Sequence, residues 1–466
     1  MWQPKLPPIP VPSRSHGRIT ARRSRPRPLY LRIVDTLAAD VASGRVAAET
    51  RLPTQRELAE RLGTTIATVT RAYSEARRRG LVSATVGRGT FVHAAPAHTT
   101  SGVTDLSVNQ LIATPFGGEL IAAASTIDPD LLASLLEYQP HVGHERHRRV
   151  MARWAGLRGV PASVDEIVVT GGAQHSLLAA LATLTRPGDA VLTEAVTYTG
   201  AISVANHLHL RLVPVPVDAG GLDVDAFARA AKRTGARVAY LMPTLQNPTG
   251  VTLSAGRRKA LLQAAIRHDV MLIEDDEYGV FSSTLPLAAD APDRCIYLTG
   301  VSKAVAPGLR VGLLRAPAAL VPRLGAAVFA SSVMAPPFGT ELVGRWLADG
   351  LAERVIAWKR AEFQARTTLA RQILGPGGVG LRDASPISPH LWLPTGRLGG
   401  VEFQEQARLR GVIVSAGQSF AVGQGPAPPY VRVCLGPPAT REGLTQALGV
   451  IRDVRARPPM PHAATV

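Results

Sequence analysis

The chain has 466 residues, of which 46% are hydrophobic and 19% charged, and a formal net charge of +17. Its length predicts two or three domains, and it contains no apolar run long enough to span a bilayer as a helix. The two cysteines, Cys295 and Cys434, lie far apart without CxxC spacing. Neither a disulfide framework nor a metal site is therefore expected, and a reducing cytoplasmic compartment fits the sequence.

The positive charge is concentrated in the first fifth of the chain. Residues 1–92 contain 17 Lys and Arg but only 6 Asp and Glu. A basic segment of this kind indicates a polyanionic partner such as nucleic acid. An arginine-rich solubilising segment would produce the same imbalance, so charge alone leaves both interpretations open.

Residues 28–93 predict a small α+β domain that follows a disordered basic tail over residues 1–27. Apolar residues at helical spacing predict a first helix after Pro28, and "LVSATVGRGTFV" predicts two short strands. Between them, Thr54 is the predicted N-cap of a second helix, Glu57 completes its capping box and Gly63 ends it. Three helices and a hairpin of this length predict a winged helix-turn-helix.

The third helix, in "TTIATVTRAYSEARRRG", is predicted to carry Ile66, Val69 and Tyr73 on one apolar stripe. In a helix-turn-helix this helix enters the major groove with its first residues toward the base edges. Only Arg71 offers a bidentate contact to guanine, while arginines of the second helix and the wing tip suit phosphate or minor-groove contacts. The candidate DNA contacts are Arg56, Thr65, Thr68, Arg71, Arg88 and Gly89. For each threonine, helix capping or plain solvation is the alternative.

The rest of the chain predicts a larger α/β domain. Residues 94–115 are small and polar and are predicted to be a linker. Over 116–457 helical stretches alternate with short apolar strands such as "EIVVTGG", "VMLIEDD" and "CIYLTG". This alternation predicts a mainly parallel sheet, followed by a smaller α+β lobe. Residues 458–466 are predicted to be a disordered tail.

One lysine, Lys303, lies in a turn rich in Gly, Ser and Pro, "GVSKAVAPGLRVG". A lysine amine condenses with an aldehyde, most usefully that of pyridoxal 5'-phosphate. This cofactor needs an anion at its pyridine nitrogen, donors for its phenolate oxygen, a cradle for its phosphate and an aromatic face for its ring.

The sequence offers each of these groups at the end of a predicted strand. Asp275 supplies the anion, and Tyr278 and Asn247 supply the phenolate donors. The amides of Gly172, Ala173 and Gln174 begin a helix that can hold the phosphate, with Ser302 and Arg310 as further phosphate ligands and Tyr198 as the stacking face. Because the carboxyl ends of parallel strands form binding crevices, we expect these residues to meet in one site.

Two family resemblances follow from these motifs. Residues 28–92, with "LPTQRELAERLG" and "VGRGTFV", resemble the winged helix-turn-helix of GntR-family regulators. Residues 105–455, with "TGGAQ", "NPTG", "EDDEY" and "SKAVAPGLRVG", resemble fold-type-I aminotransferases. The second resemblance implies a Schiff base on Lys303 and a clamp for the substrate α-carboxylate at Arg432. It also implies that Tyr138 serves the site of a partner subunit.

The sequence departs from the aminotransferase pattern at Gly300. This position usually holds a Ser or Thr that binds the phosphate, and Thr299 is the nearest hydroxyl that offers a replacement. The site is therefore expected to be one phosphate ligand short.

The combination of domains resembles the MocR subfamily of GntR regulators. The resemblance implies a homodimeric transcription regulator that binds double-stranded DNA and senses an amino acid, an amine or pyridoxal 5'-phosphate itself. A working aminotransferase with an accessory DNA-binding domain is the alternative. A DNA-binding protein with a vestigial aminotransferase scaffold is a third hypothesis.

Overall fold

The computed structural model describes residues 28–42, 46, 50–78, 81–85, 89–92, 103–110, 112–375 and 387–456. They belong to two compact units that meet in sequence between Ser101 and Gly102. Both predicted disordered tails and Arg88 of the predicted wing tip lie outside the described residues. No helix in the described part of the chain is long and apolar enough to cross a membrane.

The first unit has the predicted three helices and hairpin. Its elements are α1 (Leu29–Ala42), α2 (Gln55–Leu62), α3 (Ile66–Arg78), β1 (Val82–Thr85) and β2 (Gly89–Val92). The strands pair antiparallel with Val82 opposite Val92, and Leu37, Leu58 and Val69 are fully buried between the helices. This confirms the winged helix-turn-helix.

The second helix begins and ends as predicted. The Thr54 hydroxyl accepts from the Glu57 backbone N–H at 3.2 Å, and the Glu57 carboxylate accepts from the Thr54 N–H at 2.9 Å. Gly63 follows the helix with φ 57°, a left-handed conformation that glycine adopts without strain.

The predicted apolar stripe of α3 is wrong at one position. Val69 and Tyr73 are buried, but Ile66 is 51% exposed. Ile66 is the first residue of α3, and the buried residues of this helix begin at Val69. An exposed β-branched side chain therefore stands at the start of the helix that is predicted to enter DNA.

The larger unit contains fourteen strands and thirteen α-helices among its described residues. The strands are β3 (Thr104–Asp105), β4 (Ile167–Thr170), β5 (Ala190–Glu194), β6 (Arg211–Val215), β7 (Val217–Asp218), β8 (Gly221–Leu222), β9 (Val238–Leu241), β10 (Met271–Asp275), β11 (Cys295–Gly300), β12 (Gly312–Arg315), β13 (His390–Pro394), β14 (Val412–Ile413), β15 (Ser415–Ala416) and β16 (Tyr430–Cys434). The helices are α4 (Gly117–Ala124), α5 (Pro129–Leu135), α6 (Glu145–Gly156), α7 (Ala173–Leu184), α8 (Thr199–His207), α9 (Val224–Thr234), α10 (Ala255–Arg267), α11 (Leu287–Asp290), α12 (Val321–Ser332), α13 (Pro337–Ala348), α14 (Leu351–Leu374), α15 (Gly400–Arg408) and α16 (Arg441–Arg455).

Seven of these strands form the central sheet in the order β4-β12-β11-β10-β9-β5-β6. All neighbours are parallel except β12, which runs antiparallel to both β11 and β4. The interior strands are buried along nearly their whole length, as expected for a sheet covered on both faces. The predicted mainly parallel sheet is confirmed, and its parallel strands end at one edge.

A smaller lobe follows the long helix α14. Its sheet has the order β13-β16-β15 with antiparallel pairing. Helix α15 packs against this sheet, and α16 packs against α14 and α15. This is the α+β lobe that the sequence predicts after the central sheet.

The larger unit begins before the predicted boundary at residue 116. Thr104 N–H donates to Gly411 O at 2.7 Å, Leu106 N–H donates to Ile413 O at 2.8 Å, and Leu106 is fully buried. These bonds join β3 to β14 of the smaller lobe. The segment has the small, polar composition of a linker, but tertiary pairing with distant residues orders its second half, which no local pattern reveals.

Candidate functional site

A cavity of about 370 Å³ opens at the carboxyl ends of the parallel strands. Its lining includes ten of the predicted site residues, namely Ala173, Gln174, Tyr198, Asn247, Asp275, Tyr278, Ser302, Lys303, Arg310 and Arg432. They follow β4, β5, β9, β10 and β11 or lie on β16 of the smaller lobe. The sequence did not predict four further polar lining residues, Ser107, Asn109, Thr199 and Glu277.

Lys303 is largely withdrawn from solvent in the turn after β11. Its Nζ donates to the backbone oxygen of Asn109 at 2.7 Å, and burial lowers the pKa of the amine. A lowered pKa increases the neutral fraction of the amine, which is the form that attacks an aldehyde. These surroundings suit Lys303 to covalent attachment of a carbonyl compound.

Asp275 ends β10 and is buried beside the cavity. Tyr240 Oη donates to its Oδ2 at 2.8 Å, and the Glu277 N–H donates to its Oδ1 at 3.1 Å. Burial raises the pKa of the carboxyl to about 6, and a cationic ring nitrogen beside it would lower that pKa and favour the ionised carboxylate. No sequence signal pointed to Tyr240, because its contact depends on β9 lying next to β10.

The acidic run "EDDE" divides its four carboxyls between two environments. Glu274 accepts from the N–H groups of Leu287 and Ala288 at the start of α11, and Asp276 accepts from Arg158 Nε at 2.9 Å. Asp275 and Glu277 instead line the cavity. Successive side chains of a strand point to opposite faces, which explains why Asp275 differs from Glu274 and Asp276. Of the four carboxyls, only those of Asp275 and Glu277 can reach a molecule bound in the cavity.

Asn247 and Arg432 hold each other in a fixed orientation. Arg432 Nη1 donates to Asn247 Oδ1 at 2.9 Å, Nη2 donates to Ser107 O, and the guanidinium lies 4.8 Å from the ring centre of Phe420. Because a guanidinium only donates, the amide oxygen must face it. The Asn247 NH₂ group is then available to donate to an acceptor in the cavity, as the sequence predicts.

Asn109 joins a buried network behind Tyr278. Burial lowers the pKa of His390 to about 3, so its ring is neutral. Since His390 Nε2 lies 3.1 Å from the acceptor Gln246 O, Nδ1 is the ring acceptor. Asn109 Nδ2 donates to it at 2.9 Å and to Tyr278 Oη at 2.6 Å. The Tyr278 hydroxyl proton therefore remains available to donate to a ligand.

We expect Asn109→Ala to lower the free energy of unfolding by about 1–3 kcal/mol, because it leaves the buried His390 Nδ1 without a donor. Chemical denaturation of the full-length chain measures this. Val108→Ala is the matched control, since Val108 is 55% exposed and its truncation should change stability by about 0.5 kcal/mol or less. Equal stabilities of the two variants would contradict a structural role for the Asn109 amide.

The first turn of α7 has the geometry that the predicted anion cradle needs. Gly172 precedes it with φ 104° and no side-chain cap, which leaves the first N–H groups of a three-turn helix available to an anion. Gly172 itself lies just behind the cavity lining, where a Cβ would be 2.7 Å from Arg310 Nη2. Arg310 Nη2 also donates to Gly171 O at 2.9 Å, which holds the guanidinium beside the cradle.

The replacement predicted at Thr299 is not supported. Thr299 is buried outside the cavity lining, and its hydroxyl donates to Asp276 O at 3.2 Å. At Gly300 an added Cβ would lie 2.8 Å from Glu277 Oε2. Glu277 therefore fills the space in which a side chain at position 300 would stand.

The described groups fit the predicted cofactor. The cavity brings together an activated amine, a buried carboxyl, two phenolate donors, an uncapped helix start and an arginine. The Glu277 carboxyl, which lies near the first amide of the cradle, is an ionisable group that this set does not include.

The first unit exposes part of the predicted DNA-contacting face. Thr65 caps α3: its hydroxyl accepts from the Thr68 N–H at 3.2 Å and lies 2.9 Å from the Thr68 hydroxyl. Arg71 is exposed, with its guanidinium 4.2 Å from the ring centre of Tyr30, and Arg56 pairs with Glu60 at 3.5 Å. Gly89 begins β2 with φ 109°. Thr65 thus has the capping role that was the alternative to a phosphate contact.

Two family models match the chain. Aminotransferase class I and II matches residues 102–451, and the gntR family of bacterial regulatory proteins matches residues 29–92. Together they cover nearly all of the described residues in both units.

Similar proteins include regulators and aminotransferases. The uncharacterized HTH-type transcriptional regulator YdeF of Bacillus subtilis (strain 168) is 29% identical over 91% of this chain and 94% of that protein. The vitamin B6 salvage pathway transcriptional repressor PtsJ of Salmonella typhimurium is 27% identical over 78% of this chain and 84% of that protein. Among solved structures, the α-aminoadipate aminotransferase LysN of Thermus thermophilus has a TM-score of 0.68 at 25% identity, covering 82% of this chain and 98% of that one.

Proposed function

Because the chain belongs to the aminotransferase class I and II family and carries a gntR-family DNA-binding domain, we propose that it is a bacterial transcription regulator whose larger unit senses a small molecule. This domain combination is that of the MocR subfamily. The observation that carries the proposal is the presence, in one chain, of a helix-turn-helix and a cavity that brings the predicted cofactor-binding residues together.

The cofactor is pyridoxal 5'-phosphate, which supplies an aldehyde and an electron-withdrawing ring when it is bound. In this proposal Lys303 supplies the attacking amine and Asp275 holds the ring nitrogen in its protonated form. Tyr278 and Asn247 donate to the phenolate oxygen, and the first turn of α7 binds the phosphate. Arg432 binds the carboxylate of an amino-acid effector through its planar fork.

Exposed apolar side chains support the proposal of a homodimer. Three large side chains are mostly exposed: Ile121 at 74%, Leu136 at 80% and Tyr138 at 87%. Exposed apolar side chains that lie close together mark a surface that a protein partner covers. All three lie on or just after α4 and α5, and Tyr138 does not line the cavity of its own chain. A second copy that covers this segment would also bring Tyr138 to the partner's site.

A dimer also suits the proposed reading of DNA, since helix-turn-helix proteins bind two half-sites whose spacing the dimer sets. The first turn of α3 offers few hydrogen-bonding base readers. Exposed Ile66 suits an apolar contact with a thymine methyl group, and Arg71 suits guanine. In a cytoplasmic regulator, effector binding at Lys303 and Arg432 would change the affinity for such a paired site.

DNA affinity measured with and without cofactor and effector tests the regulator proposal. With DNA from the region upstream of the gene that encodes this chain, we expect pyridoxal 5'-phosphate or an amine or amino-acid effector to change the dissociation constant about 5- to 150-fold. Equal affinity under all conditions would contradict coupling between the two units.

A working aminotransferase is the second candidate, because the residues for the half-reaction line one cavity. Steady-state turnover of an amino donor and a keto acid at about 1 s⁻¹ or faster, the range of ordinary enzymes, would favour it. We expect turnover far below this range. The fully formed site, with its activated Lys303, disfavours the third hypothesis of a vestigial scaffold.

A further inference from the structure

Glu277 is a buried carboxyl that the proposed function does not use. It is 7% exposed and lines the cavity between Asp275 and Tyr278. Among the described residues its Oε2 has no hydrogen-bond partner. A buried polar atom without a partner is costly, so this oxygen is suited to contact a bound molecule.

Glu277 lies next to the place where the phosphate is expected. The point that a Cβ at Gly300 would occupy is 2.8 Å from Glu277 Oε2 and 3.4 Å from Ala173 N, the first amide of α7. A serine at position 300 would fit only if the Glu277 side chain moved. Gly300 and Glu277 therefore form a matched pair, in which the carboxyl takes the space of the missing hydroxyl.

Burial favours the protonated form of Glu277. Burial, followed by the nearby Asp275 carboxyl, raises its pKa to about 8, against the opposing effects of Lys303, the Gly300 backbone and Arg310. Tyr198, at the start of α8, also faces this group. A phosphate dianion in the cradle would disfavour the carboxylate further, since like charges at close range repel.

We propose that Glu277 replaces the missing hydroxyl as a neutral carboxylic acid whose O–H donates to a phosphate oxygen, so that cofactor binding takes up a proton from solvent. An ionised carboxylate in the same place could only accept hydrogen bonds and would repel the phosphate. The inference rests on the proposed cofactor site and does not depend on its coupling to DNA.

The test uses the full-length chain and 4'-deoxypyridoxine 5'-phosphate, which has no aldehyde and therefore does not report the reactivity of Lys303. We expect its dissociation constant to rise by up to about tenfold per pH unit above pH 8, because the protonated site binds and is lost as the pH rises through the pKa. Calorimetry in two buffers of different ionisation enthalpy should show proton uptake at pH 8 to 9.

Two variants and a second probe isolate the carboxyl. Glu277→Gln keeps an N–H donor but does not titrate, so it should bind at pH 7 within about threefold of the unaltered protein and lose most of the pH dependence. The double variant Gly300→Ser with Glu277→Ala restores a hydroxyl and should behave in the same way. Unphosphorylated 4'-deoxypyridoxine should show little of this pH dependence.

Tighter binding of the phosphorylated probe by Glu277→Gln at pH 7, or no proton uptake by the unaltered protein, would overturn the inference. If the phosphorylated probe does not bind any of these proteins, the cofactor site itself is contradicted. The two failures are therefore distinguishable.

Discussion

Replacing Lys303 with alanine is expected to abolish covalent retention of pyridoxal 5'-phosphate and the absorbance band near the visible edge that accompanies it. The Lys303 amine is the one whose Nζ lines the cavity, and burial lowers its pKa. Loss of the amine removes the nucleophile altogether, so the expected effect is complete. Absorbance, followed by borohydride reduction and mass spectrometry of the modified peptide, measures it.

Lys359 provides the matched control. It is the other buried lysine of this region: its Nζ donates to Val305 O at 2.6 Å, and burial lowers its pKa to about 7. Lys359→Met should keep the band and the label on Lys303. If Lys303→Ala retained the reduced cofactor and Lys359→Met lost it, the cofactor would be attached to Lys359, and the prediction would be wrong.

The Lys303→Ala variant also tests whether the larger unit senses a ligand or serves only as a scaffold. If the larger unit senses through Lys303, Lys303→Ala should bind DNA with an affinity that no longer responds to pyridoxal 5'-phosphate. A DNA response of normal size in this variant would show that regulation does not pass through the covalent site.

Replacing Arg432 with lysine is expected to weaken binding of amino-acid effectors by about 2–5 kcal/mol, the cost of truncating one partner of a buried charge pair, which is roughly thirtyfold or more. Arg432 already donates to Asn247 Oδ1 and Ser107 O, and its Nε is buried without a partner among the described residues. A lysine has one compact ammonium and cannot serve the same fork.

The effector's chemistry provides the control for this prediction. Spectral titration of the cofactor-loaded protein compares amino acids with the corresponding amines, which lack the carboxylate. Arg432→Lys should weaken the amino acids much more than the amines, whereas Arg452→Ala, at an exposed arginine on α16, should affect neither. Equal losses for both ligand classes would indicate a structural role for Arg432 instead of carboxylate recognition.

Much of the fold could be predicted from local sequence. Short apolar runs mark the central strands, and the capping box at Thr54 and the glycine at position 63 set the ends of α2. The site residues of the large domain could be found for a related reason. Each follows a strand closely, and the parallel strands place their carboxyl ends at one edge, so positions distant in sequence converge without further information.

Three features could not be predicted, because each depends on which elements lie side by side. Asn109 belongs to a segment with the composition of a linker, and only pairing of β3 with β14 brings it to Lys303. Tyr240 reaches Asp275 because β9 neighbours β10. Ile66 fits a helical apolar stripe but is exposed, since the period of a helix does not say where its contact with the core begins.

The sequence by itself determined the two domains, the cofactor and its lysine, because these depend on residue types at strand and helix ends. Only the tertiary structure decided how Gly300 is compensated. The sequence shows that a hydroxyl is missing at position 300. It gives no sign that Glu277, which lies twenty-three residues earlier and just after β10, is connected with this. Parallel pairing of β10 with β11 places the two at one point, where the absence of a Cβ admits the Glu277 carboxyl.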